Sequence, residues 1–184
     1  MQAECFHSIF VKVLNKLLNE KLTALIEFMV SLKSVSMATE IKTSIIINST
    51  PERIWSILTN FENYSTWNPF IKTLTGEVVV GNNIKVEFDE MTFKPKVLVF
   101  KENEKFEWIG QLLFPGLFDG KHRFLIVDNH NGSCTFEHSE KFKGILIPFM
   151  KNKLHTEVKA NFEKMNMALK KAVEINEIKK KKTT

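Results

Sequence analysis

Cysteine is nearly absent. Two occur in 184 residues, Cys5 and Cys134, far apart and outside any CxxC unit. A disulfide framework and a zinc ribbon are therefore excluded as organising devices, and a reducing compartment, the cytoplasm, is expected. No stretch reaches the roughly 18 to 20 uncharged apolar residues of a membrane-spanning helix, because Lys12, Lys16, Glu20, Lys21 and Glu27 interrupt the apolar opening segment. That segment also lacks the basic start, apolar centre and small-residue cleavage site of a secretory signal. No GxSxG, Walker A, HExxH or GxGxxG motif occurs, which removes the usual sequence grounds for a hydrolase, an NTPase, a zinc protease or a dinucleotide enzyme, and no cofactor is expected. Basic residues form no stripe interleaved with aromatics, so nucleic acid is not an expected partner. The net charge of +5 comes largely from Lys179, Lys180, Lys181 and Lys182. Residues 179–184 read as a solvated basic tail, with weak contact to an acidic surface as the alternative.

What is abundant is phenylalanine, sixteen against a single tyrosine. Many rings without hydroxyls suit a dense core or an apolar cavity. With 43% apolar and 26% charged residues, the chain reads as one ordinary globular domain with sequence to spare. The surplus lies at the start. Phe10, Leu14, Leu17, Leu25, Phe28 and Leu32 follow helical spacing, giving an amphipathic extension over residues 1–36. Its apolar stripe needs a cover: the main domain, a second copy in a homodimer, or a membrane surface. Met37 opens a segment like a complete domain's own beginning, so an upstream start codon mistaken for the true one is the alternative origin of the extension.

From Glu40 the period changes. "EIKTSIIINS" suits a strand, and "STPERIWSIL" supplies a cap and a proline for a short helix. A second short helix ends before Pro69. Six strand segments follow, near 73–80, 83–91, 93–102, 105–114, 121–129 and 133–143, and then one long amphipathic helix from Ile147 to Ile178. The expected architecture is α+β: a seven-stranded antiparallel sheet packed against the terminal helix over residues 39–178.

Alternation along the last three strands puts Trp108 and Gly110, then His122 and Phe124, then Phe136, His138, Glu140 and Phe142 on the inward face. An unpaired buried carboxylate is costly, so Glu140 needs a partner or water. Four readings stand side by side. The cluster is a satisfied structural network, a polar anchor for an apolar ligand, a metal site of two histidines and one carboxylate, or an acid–base pair. Trp67 and Asn68 are read as a hydrophobic plug with a turn-forming amide, or else as ligand contacts.

The segments "STPERIWSILTNFENYSTWNPF", "WIGQLLFPGLFDGKHRF", "TFEHSEKFKG" and "NFEKMNMALK" together resemble the SRPBCC (START-like, helix-grip) superfamily, in its polyketide cyclase/dehydrase-like branch, from about Thr39 to Val173. Trp67, Asn68, Trp108, Gly110, Gly120, His122, Phe124, His138, Glu140, Phe142 and Gly144 match the branch pattern. The resemblance implies a helix-grip fold and a cavity for a lipid, polyketide or similar molecule between helix and sheet. It does not imply a reaction. The glycine-rich loop of the pollen-allergen branch is missing, its place taken by "VGNN", so phosphate and plant-hormone binding do not carry over. The expectation is a non-enzymatic binder contacting its ligand through Trp67, Asn68, Trp108, His122, Phe124, Phe136, His138, Glu140 and Phe142. A cyclase or dehydratase working through His122, His138 and Glu140 is the alternative, and an assembly module built on the N-terminal helices is a third reading.

Overall fold

The computed structural model describes residues 38–88 and 91–181, with side chains to residue 175, together with Glu20, Lys21 and Thr23. Apart from those three residues, which are helical, the expected amphipathic extension, its homodimer contact and residues 182–184 lie outside the described residues. Ala38–Thr184 is one compact unit.

A β-branched run forms β1 (Ala38–Ile47). The chain then turns into α1 (Pro51–Leu58): the Thr50 hydroxyl accepts the Arg53 amide and Pro51 fits the first turn, where no N–H is needed. A single 3-10 turn (Phe61–Asn63) leads into α2 (Tyr64–Trp67), which stops at Asn68 ahead of Pro69. The strands that follow are β2 (Thr73–Thr75), β3 (Lys85–Glu87), β4 (Thr92–Phe93), β5 (Lys96–Lys101), β6 (Lys105–Gln111), β7 (Asp119–Asp128) and β8 (Cys134–Lys143). The chain ends in α3 (Ile147–Lys153), a π-helical turn (Leu154–Val158) and α4 (Lys159–Lys181). These three run on without a break from Ile147, as the periodicity predicts.

The α+β architecture holds, but the single seven-stranded sheet does not. The strands form a five-stranded sheet in the order β1-β8-β7-β6-β5 and a three-stranded sheet β2-β3-β4, joined by an isolated bridge between Asn83 and Lys96. Two features explain the split. Pro95 has no N–H to carry a ladder from β4 into β5. Gly76 and Gly81 adopt φ of 105° and 96°, which turns the chain where a strand over 73–80 was expected.

Alternation makes the large sheet two-faced. Outward, Lys121 reaches Glu107 at 2.7 Å and Lys42 reaches Glu137 at 2.8 Å, opposite charges across neighbouring strands that favour one register. Inward, two apolar clusters form. One joins Ile54, Trp55 and Leu58 of α1 to Phe106, Phe124, Ile126 and Phe136 of the sheet and to Met165, Leu169 and Val173 of α4. The other joins Ile41 and Phe142 to Ile147, Leu154 and Phe162. Within the first, the hydroxyl of Tyr64 donates to the Leu58 carbonyl at 2.5 Å, satisfying an acceptor that the end of α1 leaves without a helical partner. Burial pushes this phenol's ionisation far up, so it remains a donor. Tyr64→Phe strands that buried carbonyl and is expected to cost about 1–3 kcal/mol, read as a lower urea midpoint with an unchanged slope.

Candidate functional site

Register builds the site. β6, β7 and β8 are adjacent and antiparallel, with Trp108 opposite His122, His122 opposite Glu140, and Phe124 opposite His138. All these side chains share the inward face, and the diagonal neighbours His122 and His138 come within reach of each other.

Their nitrogens are wired in one direction. Thr43 on β1 donates its hydroxyl to the His138 carbonyl at 3.3 Å, so it accepts from the Asn166 amide nitrogen at 2.9 Å. That leaves the Asn166 carbonyl oxygen to accept from His138 Nδ1 at 3.1 Å. A neutral His138 then presents an unprotonated Nε2, which accepts the hydrogen bond donated by His122 Nε2–H at 2.9 Å. The last contact, His122 Nδ1 to Glu140 Oε2 at 3.2 Å, shares one proton between ring and carboxyl. Neutrality follows from position: His138 is 1% exposed. Burial first, and the neighbouring His122 second, hold its pKa well below the usual histidine value, against the opposing pull of Asn166.

Aromatic rings clamp both imidazoles. Trp108 stacks on His122 with centroids 4.5 Å apart and planes 7° from parallel. Phe162 of α4 stacks on His138 at 3.6 Å and 16°. The N–N separation of 2.9 Å between the histidines suits a hydrogen bond. Two imidazoles on one zinc ion, each about 2.0–2.1 Å from it, would stand farther apart in tetrahedral geometry. Among the described residues, no group of three histidine, cysteine or acidic side chains is arranged to hold a metal.

Beside the cluster lies a cavity of about 460 Å³, lined by members of both apolar clusters and by Phe70, Phe88, Phe93, Phe118, Met150 and Val158. Of the expected ligand contacts, Trp108, His122, His138, Glu140 and Phe142 line it. The other four lie elsewhere. Phe124 and Phe136 face inward but are fully buried within the first cluster. Asn68 closes a turn, its Oδ1 accepting from Phe70 and Ile71 amides, and Trp67 packs edge-on against Tyr64. None of these four is among the residues lining this cavity.

Sequence reasoning missed Thr43 and Asn166, which orient His138, and Phe162, which covers it. A signal for Asn166 was present: it interrupts the apolar stripe of Phe162, Met165 and Leu169. Gly110 and Gly120 stand opposite each other on the inward face, and a Cβ on Gly120 would overlap the carboxyl oxygen Oε1 of Glu140. The absent side chain is what lets this carboxyl lie across the strand. Cys134 is buried, its thiol directed at the Ser49 carbonyl at 3.2 Å, and burial raises its pKa, which disfavours the nucleophilic thiolate.

Residues 38–174 match the family described as polyketide cyclase/dehydrase and lipid transport. The chain belongs to that family. Solved structures share the fold read from the motifs. A protein of Bacillus thuringiensis is 15% identical with a TM-score of 0.60, covering 73% of this chain and 98% of its own. A START superfamily protein from Mycobacterium smegmatis is 18% identical with a TM-score of 0.53, covering 73% and 97%. The ZhuI aromatase/cyclase from Streptomyces sp. R1128 is 10% identical with a TM-score of 0.60, covering 74% and 94%. At such identities these likenesses show the fold alone. No curated protein matches the chain. Among the described residues, no helix is long and apolar enough to cross a membrane.

In this polyketide cyclase-like domain, the buried neutral His138 makes stability depend on pH. Its usual value is 6.5 and the folded value lies well below, so under acidification the unfolded chain binds the proton first. Stability contributed by the neutral ring is complete above about pH 6.5 and falls by up to about 1.4 kcal/mol per pH unit below it. Melting temperatures taken from neutral pH down to about pH 5 should fall more steeply for the native protein than for His138→Gln. Parallel curves for the two would contradict this account.

Proposed function

We propose that this domain binds and carries a hydrophobic small molecule, held by the apolar cavity wall and oriented by a polar end at Glu140. The observation that carries this reading is the contrast within the wall. Apolar side chains, phenylalanine foremost, supply most of it, and Glu140 brings to it a carboxyl with one oxygen turned away from His122. Apolar walls with a few convergent polar groups are the usual make-up of a small-molecule site. Enclosing about 300 Å² of apolar ligand surface is worth roughly 7 kcal/mol before the costs of association. Affinity can therefore come from the wall while the carboxyl sets orientation.

Cyclase or dehydratase chemistry is the second reading, favoured by the carboxyl's backing from two hydrogen-bonded imidazoles. It needs a different base from the one expected. Both nitrogens of His122 and both of His138 already have partners, so neither imidazole has a nitrogen to spare for a substrate proton. Glu140 would have to take that role.

Native mass spectrometry of freshly purified protein, compared with its denatured mass, is expected to show an excess of a few hundred daltons. Glu140→Gln should weaken binding of the recovered molecule more than it lowers the unfolding free energy. Loss of stability with unchanged affinity would reduce the cluster to a structural network. Turnover of an aromatic polyketide or similar β-keto compound that is abolished by Glu140→Gln would replace the carrier reading with the second one.

A further inference from the structure

The cavity reading leaves open which end-group the ligand presents, and the hydrogen-bond inventory narrows it. Oε2 of Glu140 faces His122 Nδ1 at 3.2 Å. If the shared proton rests on the ring, Glu140 is a carboxylate and Oε1 accepts. If it rests on Oε2, Oε1 is the carbonyl oxygen of the acid and still accepts. In both cases the oxygen left over can receive a hydrogen bond and cannot give one.

The floor beside it is bare. Gly110 and Gly120 form a directly opposed pair between β6 and β7, and both line the cavity. The Gly120 position is filled by Oε1 itself, whereas a Cβ on Gly110 would meet no atom within 4 Å. An open strip of backbone thus runs up to an acceptor oxygen, bounded by Trp108 and His122 on one side and Phe142 on the other. Glycine inside a strand permits such a close approach. Lys153, a cation on the lining, is exposed and lies 3.8 Å from Glu157, so an anionic end-group there would share it with a carboxylate.

We propose that the ligand's polar end is a hydroxyl, which lies over Gly110 and donates to Glu140 Oε1, and that carboxylates, ethers and esters are disfavoured. This rests on the binding reading above and adds the chemical class of ligand to it. An ether or ester oxygen would set acceptor against acceptor and leave both without a partner. A carboxylate would add like-charge repulsion whenever Glu140 is ionised.

The test uses the full chain, stripped of retained molecules, with three probes of matched shape: para-nonylphenol, para-nonylanisole and para-nonylbenzoic acid. By isothermal titration the phenol is expected to bind at least about tenfold tighter than the anisole, the worth of one hydrogen bond to a carboxyl acceptor, and the benzoic acid is expected to bind weakest. Glu140→Leu should erase the phenol's advantage and leave anisole affinity in place, which also reports that the variant folds. Gly110→Val should weaken the phenol without lowering the unfolding midpoint. Should Glu140→Leu fail to fold, the native protein's phenol-to-anisole ratio decides alone. Equal affinities for phenol and anisole, or tightest binding by the benzoic acid, would overturn this inference and leave the cavity a binding site. No binding by any probe would remove both.

Discussion

The site depends on one constraint: polar groups on the inner face of an apolar sheet must find partners there. His138 is nearly sealed from solvent and stacked against Phe162, so each of its nitrogens needs a neighbour. Asn166 of α4 and His122 of β7 are those neighbours, and Thr43 of β1 holds Asn166 while bonding the His138 carbonyl. The network therefore ties together three elements distant in sequence, and its geometry holds only in one register. A one-residue slip of β8 would turn His138 and Glu140 outward and bring Glu137 and Ser139 into the core. The outward ion pairs to Glu137 favour the same register from the other face.

The cavity and the cluster follow from this arrangement together. Toward α1, aromatic and aliphatic side chains close on one another. Toward α3 and the π-helical turn, glycines on the sheet leave room. Glu140 sits at the change from one regime to the other, its Oε2 tied to the sealed network and its Oε1 beside the open space. A carboxyl at this boundary can be fixed in orientation by protein and still be available to a ligand, which a fully buried one could not be. The π-helical turn, Leu154–Val158, contributes Leu154, Glu157 and Val158 to the lining. Such turns distort a helix locally, and they occur often at functional sites.

Period-two alternation was enough to read His122, His138 and Glu140 onto one face, because strand parity is a property of local sequence. Depth along the sheet is not. Phe124 and Phe136 share the face with the cavity-lining residues, yet they are sealed in the cluster that the helices complete, and only that packing reveals it. The break between the two sheets was hard to see for a similar reason: "TLTGEVVVG" is β-branched, and the positive φ of Gly76 and Gly81 outweighs that propensity. Asn166 was legible as an oddity in an apolar stripe, but its partner lies 28 residues away in sequence, and long-range pairings of single side chains leave no periodic trace. The helix-grip architecture itself was readable, since its order of elements is carried by whole segments.

A fold shared by carriers and catalysts places the burden of distinction on which polar atoms remain unspent at the cavity wall. Histidines near a carboxylate invite an acid–base interpretation from composition alone. Here the two imidazoles use their nitrogens on each other, on Asn166 and on Glu140, so their effect on a bound molecule must pass through the carboxyl. In the binding reading proposed above they are positioning groups: they hold Oε2 and thereby aim Oε1. An oxygen aimed but not needed for cohesion is what a recognition site requires, and it would also be the starting point for a base. The difference between those roles rests on the ligand, on whether its atom nearest Oε1 is a hydroxyl that stays protonated or a carbon acidic enough to give its proton up.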